Sequence, residues 1–316
     1  MFVSAFLIII GFALLILGAD WLVDGASNIA KKFHIPEIII GLTIVSIGTS
    51  MPELFVSTTS ALDGFSDMAI GNVIGSNMCN LLLILGISTI IKPVKFQKET
   101  MIYEIPMCLV FTIIFIIMCN TGATITRTES IILMILFIMF ISYTIFMGKK
   151  QSNIAKQNET KQKIEVKSIL KDIVIIVLGI VALKIGGDLT VNNAVKIAEI
   201  FKVSEKIIAL TILAVGTSLP ELVTSVTAAI KGNSDIAIGN IIGSNIFNML
   251  LIIGVSAFIK PIIYNFSFNI DLSILVIATI VLALFPVIPP KNKMSRANGI
   301  IYFLMYIGYL GILVVI

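Results

Sequence analysis

The chain has 316 residues, of which 58% are hydrophobic and 13% charged, and its mean hydropathy is +1.08. A soluble domain of this length could not bury so much apolar surface, so the composition excludes a soluble fold and indicates a polytopic membrane protein. The net charge of +4 is better explained by membrane topology than by a nucleic-acid partner. The alternating pattern typical of a transmembrane β-barrel is absent.

Ten apolar segments are long enough to cross a hydrocarbon core of about 30 Å as helices. We predict spans at residues 2–27, 36–62, 67–91, 101–119, 128–148, 168–199, 205–230, 235–259, 268–289 and 296–316. The first segment has no basic region before it and no cleavage site, so we interpret it as a retained span and not as a signal peptide. The polar linker 149–167 separates an N-terminal half, 1–148, from a C-terminal half, 168–316.

Five spans in each half require the two halves to cross the membrane in opposite directions. With the N-terminus outside, 16 of the 22 Lys and Arg residues fall in cytoplasmic segments, 5 in extracellular segments and Lys184 within a span. Because cytoplasmic loops are enriched in Lys and Arg, this split predicts a multi-pass protein of the cell membrane with a cytoplasmic linker and two extracellular termini. The predicted fold class is all-α, with ten transmembrane helices in two inverted five-helix repeats.

One stretch of the sequence occurs twice, 168 residues apart. Residues 41–94 and 209–262 align without a gap and are identical at 32 of 54 positions. Each copy carries one glutamate, Glu53 or Glu221, directly after a proline and within apolar sequence. A carboxylate in mid-membrane is costly unless it serves a function, so the duplication predicts an ion or solute site where the two repeats meet.

The residues around these glutamates predict a cation site built from oxygen ligands. Proline within a helix removes one N–H and displaces the carbonyl four residues earlier, so each span should be kinked beside its glutamate. The other candidates are hydroxyls, amides and backbone carbonyls, which suit Ca²⁺, Na⁺ or Mg²⁺ better than softer metals. They are Ser46, Thr49, Ser50, Ser76 and Asn80 in the first copy, and Ala214 (through its carbonyl), Thr217, Ser218, Ser244 and Asn248 in the second. Two facing carboxylates must bind about two positive charges or take up a proton.

Three smaller features concern helix ends and surface charges. Asp67 and Asp235 follow predicted turns and are interpreted as helix N-caps. Lys184 lies one helical turn before Asp188, so it can pair with that carboxylate or extend toward water. None of these residues is assigned to the ion site.

The motifs GTSMPE…GNVIGSNMCN and GTSLPE…GNIIGSNIFN resemble the paired α-repeats of the sodium/calcium exchanger family, in the cation/Ca²⁺ antiporter superfamily. The resemblance covers the chain, and the short linker is similar to that of a prokaryotic or archaeal member. It implies that Glu53 and Glu221 bind Ca²⁺ and that Thr49 and Thr217 contribute carbonyls. It also implies two lateral Na⁺ sites, one at Ser46, Ser50 and Ser76 and the other at Ala214, Ser218 and Ser244. A central pair of amides is implied at Asn80 and Asn248.

The function expected from this resemblance is a Na⁺/Ca²⁺ antiporter that uses the Na⁺ gradient to extrude Ca²⁺ by alternating access. It implies electrogenic transport, and Asn248, where K⁺-dependent members carry Asp, favours K⁺ independence. A Ca²⁺/H⁺ antiporter, a K⁺-dependent exchanger and, less favoured, a cation channel remain alternatives. No nucleophile–base pair or phosphate loop indicates an enzyme, and no cofactor is expected beyond the transported Ca²⁺ and Na⁺. The expected environment is the lipid bilayer, with no nucleic-acid partner, and a monomer can suffice because one chain supplies both repeats.

Overall fold

The computed structural model describes residues 2–156, 166–201, 214–289 and 291–315. Its helices are α1 (Phe2–Phe33), α2 (Glu37–Thr49), α3 (Met51–Asp63), α4 (Ser66–Ile91), α5 (Thr100–Gly122), α6 (Arg127–Lys156), α7 (Val166–Ile200), α8 (Ala214–Thr217), α9 (Leu219–Lys231), α10 (Ser234–Ile259), α11 (Asn269–Leu284) and α12 (Arg296–Val315). A 3₁₀ turn at Phe266–Phe268 precedes α11. The strands are β1 (Val94–Lys95), β2 (Thr124–Ile125), β3 (Ile262–Ile263) and β4 (Lys293–Met294).

The structure confirms an all-helical membrane protein. Within the described ranges, seven helices are long and apolar enough to cross a membrane, and the bent pair α2–α3 makes eight if it is a single span. Two parts of the sequence-based prediction lie outside the described residues: positions 205–213 of the predicted span 205–230, and positions 157–165 of the linker.

Several helix ends differ from the predicted span ends. Helix α1 continues to Phe33, beyond the predicted end at 27, and α6 continues to Lys156, beyond 148. Hydropathy marks where a helix leaves the membrane, whereas the helix itself continues until a residue stops it. Helix α11 ends at Leu284, before the predicted 289, because Pro286 lacks the N–H needed to continue the hydrogen-bond ladder.

Loops of the two halves pair with each other in two short ribbons. In one ribbon Val94 of β1 lies opposite Met294 of β4, and in the other Thr124 of β2 lies opposite Ile263 of β3. No strand is predicted in these loops, because two-residue strands are too short to show alternation.

Two arginines make matching contacts beside the ribbons. The Arg127 guanidinium donates to the carbonyls of Phe258 and Ile259, at the C-terminal end of α10. The Arg296 guanidinium donates in the same way to the last carbonyls of α4. A cation at a helix C-terminus satisfies free carbonyls and opposes the helix dipole, so this stabilising contact is duplicated along with the sequence.

The expectation that Asp67 and Asp235 cap helices is wrong. Helices α4 and α10 begin one residue earlier, at Ser66 and Ser234, and no side chain caps either of them. Instead, the Asn265 amide donates to Asp67 at 3.4 Å and the Gln97 amide donates to Asp235 at 2.5 Å. Loops from the opposite half therefore satisfy these carboxylates, and local sequence could not reveal such contacts.

Helices α1 and α7 pack closely on facing glycines. A Cβ added at Gly18 would lie 2.8 Å from the Gly179 carbonyl oxygen, and one at Gly186 would lie 2.7 Å from the Gly11 carbonyl oxygen. In membranes such small residues allow two backbones to approach closely.

Ion pairs lie along the outer surface of this helix pair. Lys184 and Asp188 of α7 pair at 2.7 Å, one of the two expected arrangements. Lys231, at the end of α9, contacts carboxylates of α1 at 2.5 Å (Asp20) and 2.6 Å (Asp24). These pairs are partly exposed, and such pairs contribute little to stability individually.

Helices α4 and α10, which carry the GNxxGSN motifs, are the most buried of the apolar spans. Their polar residues therefore face the interior of the helical bundle and not lipid. The two proline-containing segments pack against them, so all parts of the repeated sequence meet near the centre of the molecule.

Candidate ion-binding site

Breaks in two helices position the site. Helices α2 and α3 meet at Ser50 with a bend of 49°, and Ser50 has φ −87° and ψ 9°, outside the regular helical range. Ser218 has nearly the same conformation, φ −90° and ψ 9°, between α8 and α9. Pro52 and Pro220 follow within the next turn, so the predicted kinks are confirmed and their cause is the missing proline N–H.

The two glutamates lie in the first turns of α3 and α9, immediately after these breaks. Each is only 1% exposed. A helix N-terminus presents free N–H groups and a partial positive charge, which stabilises a nearby carboxylate. The break thus serves two purposes: it exposes backbone carbonyls on one side and places a carboxylate on the other.

Serines at the breaks connect the two repeats. The Ser50 hydroxyl donates to Glu221 Oε1 at 2.7 Å, and the Ser218 hydroxyl donates to Glu53 Oε1 at 3.4 Å. Ser50 Oγ also lies 2.9 Å from Ser244 Oγ on α10. Each glutamate is therefore oriented by a hydroxyl from the other copy, and the site needs both copies to form.

A second set of contacts holds the breaks against α4 and α10. The Thr49 hydroxyl donates to Asn240 Oδ1 at 3.1 Å, and the Asn240 amide donates to Ser225 Oγ at 2.9 Å. In the first copy the Asn72 amide donates to Ser57 Oγ, also at 2.9 Å. The Asn240–Ser225 and Asn72–Ser57 bonds attach each glutamate-bearing helix to the next helix of its own repeat, whereas the Thr49–Asn240 bond joins the two repeats.

Four asparagines form the centre of the site. The Asn80 amide donates to Asn245 Oδ1 at 3.1 Å, and the Asn248 amide donates to Asn77 Oδ1 at 2.9 Å. Asn77 and Asn245 also donate to each other's backbone carbonyls, at 3.3 and 3.4 Å. Because the amide nitrogens of Asn80 and Asn248 are occupied, their side-chain oxygens are left to point elsewhere.

The sequence analysis missed Asn77 and Asn245. The signal was present, since both copies read GSNxxN and each missed asparagine lies three residues before a predicted one, which is a helical neighbour. Helix α4 changes to π-helical geometry at Cys79 and α10 at Asn248. A π turn rotates the residues that follow, which is common at functional sites and is not visible in a sequence pattern.

Six side-chain oxygens at the site are buried and have no hydrogen-bond partner among the described residues. They belong to both glutamates, to a serine and a threonine, and to the two central amides: Glu53 Oε2, Glu221 Oε2, Ser76 Oγ, Thr217 Oγ1, Asn80 Oδ1 and Asn248 Oδ1. Burying one polar oxygen without a partner costs about 1–3 kcal/mol. Six such oxygens around two carboxylates form a donor set of the kind that hard cations prefer.

The remaining predicted residues lie at the edge of this group. Ser46 is buried, but its hydroxyl donates to the Thr43 carbonyl at 3.2 Å, within its own helix. It faces Gly243, where an added Cβ would lie 2.7 Å from Ser46 Oγ. Ala214 is the first residue of α8, and its side chain lies outside the described part of the chain. The structure thus groups all the predicted hydroxyl, amide and carboxylate candidates, with Ser46 turned toward its own backbone.

A duplicated, buried cluster of carboxylate, hydroxyl and amide oxygens inside a helical membrane bundle is characteristic of an ion-transporting membrane protein. Comparison with known proteins makes this class more specific. A family model described as sodium/calcium exchanger protein matches residues 3–146 and 171–315. The chain belongs to the sodium/calcium exchanger family, whose members are exchangers and not enzymes.

Individual relatives agree along the whole length. CaxA of Alkalimonas amylolytica is 36% identical, with 98% of each chain covered. The sodium/calcium exchanger MaX1 of Methanosarcina acetivorans is 30% identical, again with 98% of each chain covered. A solved structure of the sodium-calcium exchanger NCX_Mj, soaked with Na⁺ and Sr²⁺, superposes with a TM-score of 0.85 at 30% identity, covering 98% of this chain and 97% of that chain. These matches support exchange of Ca²⁺ and other cations across a membrane.

Proposed function

We propose that the protein is a Na⁺/Ca²⁺ antiporter that uses the Na⁺ gradient to extrude Ca²⁺. The observation that carries this proposal is the cluster of six unpartnered oxygens, contributed by both repeats and centred on two buried carboxylates. One Ca²⁺ neutralises the two carboxylates, and Na⁺ ions do so in its place. Both ions use hard oxygen ligands, so they compete for one site, as coupled exchange requires.

The proposed ligands are those that the family resemblance implies. Glu53 and Glu221 bind Ca²⁺ together with the backbone carbonyls of Thr49 and Thr217. Two lateral Na⁺ sites are formed mainly by serines of the helix breaks and of α4 and α10. One consists of Ser46, Ser50 and Ser76. The other consists of Ser218, Ser244 and the Ala214 carbonyl, which replaces a hydroxyl. The oxygens of Asn80 and Asn248 face the centre and complete the cage.

The proposed architecture is ten spans in two inverted five-helix halves, 1–148 and 168–316, joined by a cytoplasmic linker, with both termini extracellular. In inverted repeats the two halves exchange conformations, which exposes a central site to each side in turn. The glycine-lined contact of α1 with α7 lets these helices move as a pair. Transport is electrogenic when the Na⁺ ions exchanged for one Ca²⁺ together carry more than two positive charges. Each net charge moved across the membrane then contributes about 2.3 kcal/mol per 100 mV of membrane potential.

The central amides support K⁺ independence. The Asn248 side chain is neutral and already donates to Asn77 Oδ1, so it adds no charge that a further cation would balance. Coupling to protons is the main competitor, because buried carboxylates can carry protons as well as metal ions.

The test is ⁴⁵Ca²⁺ uptake into proteoliposomes loaded with Na⁺ and diluted into Na⁺-free buffer. Matched vesicles hold K⁺ inside, carry an imposed pH gradient, or contain the Glu53→Gln variant. We expect uptake only with internal Na⁺, accelerated by an inside-positive potential and lost in the variant. Uptake driven equally well by the pH gradient, without Na⁺, would replace this proposal with Ca²⁺/H⁺ exchange, and a requirement for K⁺ would show K⁺ cotransport.

A further inference from the structure

A second buried carboxylate lies away from the central site. Glu104, in the first turns of α5, is 1% exposed, and its Oε2 has no hydrogen-bond partner among the described residues. The hydroxyl of Tyr143, on α6, lies 3.5 Å from its other oxygen. Thr100, one turn earlier, is fully buried and its hydroxyl oxygen is also without a partner. Thr100 and Glu104 form a π-helical turn, which departs from regular helix geometry.

The other half of the molecule contains a matching pair. Asp271 lies in the first turn of α11, the helix that corresponds to α5, and it lines a cavity together with Tyr309 of α12, which corresponds to α6. Both halves thus place a carboxylate at the start of the fourth helix and a tyrosine on the fifth. The two carboxylates are not equivalent residue by residue, since at the repeat offset of 168 Asp271 falls opposite Tyr103 and Glu104 opposite Leu272. The two halves share the helix and the residue types, and the central site does not use these residues.

The Asp271 pair faces the central site through a cavity. A cavity of about 540 Å³ is lined by Asp271 and Tyr309 and also by Ser76 and Thr217. Ser76 is 1% exposed, and its unpartnered hydroxyl oxygen belongs to the proposed ion cage. A cation that leaves water through this cavity therefore meets Asp271 on its way to the cage. By the predicted topology this cavity lies on the extracellular side.

The Glu104 pair occupies the corresponding place on the predicted cytoplasmic side. Helix α5 packs against α10 as α11 packs against α4. There α2 lies directly on α10, since a Cβ at Gly239 would lie 2.6 Å from the Ile38 carbonyl oxygen. Glu104 is accordingly more deeply buried than Asp271.

The chemistry of both pairs suits a cation that is partly dehydrated. A carboxylate with a phenol or hydroxyl beside it offers hard oxygens, and among the described residues no Lys or Arg forms a salt bridge with Glu104 or Asp271. A buried carboxylate without a cationic partner is costly in a membrane, and a bound cation removes that cost. Negative charge at the mouth of a low-dielectric path also raises the local concentration of cations.

We propose that Asp271 with Tyr309, and Glu104 with Tyr143 and Thr100, are vestibule sites that bind Ca²⁺ or Na⁺ transiently, one on each face of the membrane. This inference rests on the proposed exchange function. It adds the location at which ions bind before they reach the central site. Each vestibule site acts on one face only. Neutralising it weakens the apparent affinity for cations arriving from that face and leaves the other face unchanged.

The test is ⁴⁵Ca²⁺/Ca²⁺ exchange, without Na⁺, in right-side-out and everted membrane vesicles containing wild-type protein, Asp271→Asn or Glu104→Gln. We expect Asp271→Asn to raise the half-saturating Ca²⁺ concentration about tenfold on the outer face only. Glu104→Gln should raise it on the cytoplasmic face only, so each variant is the control for the other. Asp271→Glu should restore the wild-type value, and Tyr143→Phe, which keeps the carboxylate, should give a smaller change in the same direction as Glu104→Gln.

A purely structural role predicts a different result. Equal changes on both faces, a fall in maximal rate with unchanged half-saturation, or wild-type behaviour of both variants would overturn the vestibule sites. Because this assay contains no Na⁺, it reads the vestibule sites even if the coupling ion proves to be H⁺. Loss of Na⁺-driven uptake in wild-type protein with intact Ca²⁺/Ca²⁺ exchange would overturn only the proposed coupling.

Discussion

Replacing Glu221 by glutamine tests the ion cage most sharply among single substitutions. Glutamine has nearly the same shape, and its carbonyl can still accept the bond from Ser50 that Glu221 Oε1 accepts at 2.7 Å. What changes is the atom at Oε2, which is buried and has no hydrogen-bond partner in the described part of the chain. An acceptor with negative charge becomes an N–H donor that points at the cation.

The size of the effect follows from the loss of one of two charges in a buried cage. Removing one partner of a buried, desolvated ion pair costs about 3–5 kcal/mol. At 1.4 kcal/mol per factor of ten, this predicts that Ca²⁺ affinity falls by a factor of about 10² to 10⁴. Stability without cations should be unchanged or higher, because repulsion between two carboxylates is removed.

Thermal unfolding of detergent-solubilised protein with and without Ca²⁺ separates these two effects. A ligand at 100 times its dissociation constant stabilises the folded state by about 2.7 kcal/mol. Wild-type protein should show this Ca²⁺-dependent rise in melting temperature and Glu221→Gln should not, while both melt similarly in chelator. Asp63→Asn, at an exposed helix end, is the control. A Glu221→Gln protein that Ca²⁺ stabilises as strongly as wild type would refute the reasoning.

Three further variants test other parts of the account. Asn77→Ala removes the acceptor 2.9 Å from the Asn248 amide and should lower Ca²⁺ affinity about tenfold, since a buried hydrogen bond contributes roughly 1–1.5 kcal/mol; unchanged half-saturation in ⁴⁵Ca²⁺ uptake would show that Asn77 does not orient the cage. Asn248→Asp places a carboxylate against Asn77 Oδ1 where an amide donated, so transport should become dependent on pH or on a further cation; a flat rate from pH 6 to 8 together with unchanged Na⁺ dependence would place residue 248 outside the site. Gly179→Leu should lower both melting temperature and turnover, because even a Cβ there would lie 2.8 Å from the Gly18 carbonyl oxygen. The control is Gly308→Leu, where a Cβ meets open space. Equal behaviour of the two variants would argue against close α1–α7 packing.

Much of the site could be predicted from local sequence because its main parts are local. Pro52 and Pro220 break their helices by covalent geometry, and the glutamates follow within the same turn. Because a single carboxylate buried alone in the membrane is costly, the duplication predicted that the two copies meet. The hydrogen bond from the Ser50 hydroxyl to Glu221 joins the two copies, as this expectation requires.

The missing parts depend on contacts between the halves or on departures from regular helix geometry. Asn77 and Asn245 were missed because their bonds join residues 165 or more positions apart, which local sequence does not reveal. Asp67 and Asp235 were assigned to caps because their loop partners are distant in sequence. Glu104 was not singled out because an acidic residue near the start of a helix is ordinary, and only its burial distinguishes it.

The most direct test of the central claim is a crystal structure of the protein with Sr²⁺ or Ca²⁺, with the ion located by anomalous scattering. We expect one strong peak bound by carboxylate oxygens of both Glu53 and Glu221, at about 2.3–2.6 Å for Ca²⁺, which disappears when crystals are transferred to high Na⁺. A peak bound by only one of these glutamates, or a divalent ion elsewhere that Na⁺ does not displace, would contradict a shared cage built from both repeats.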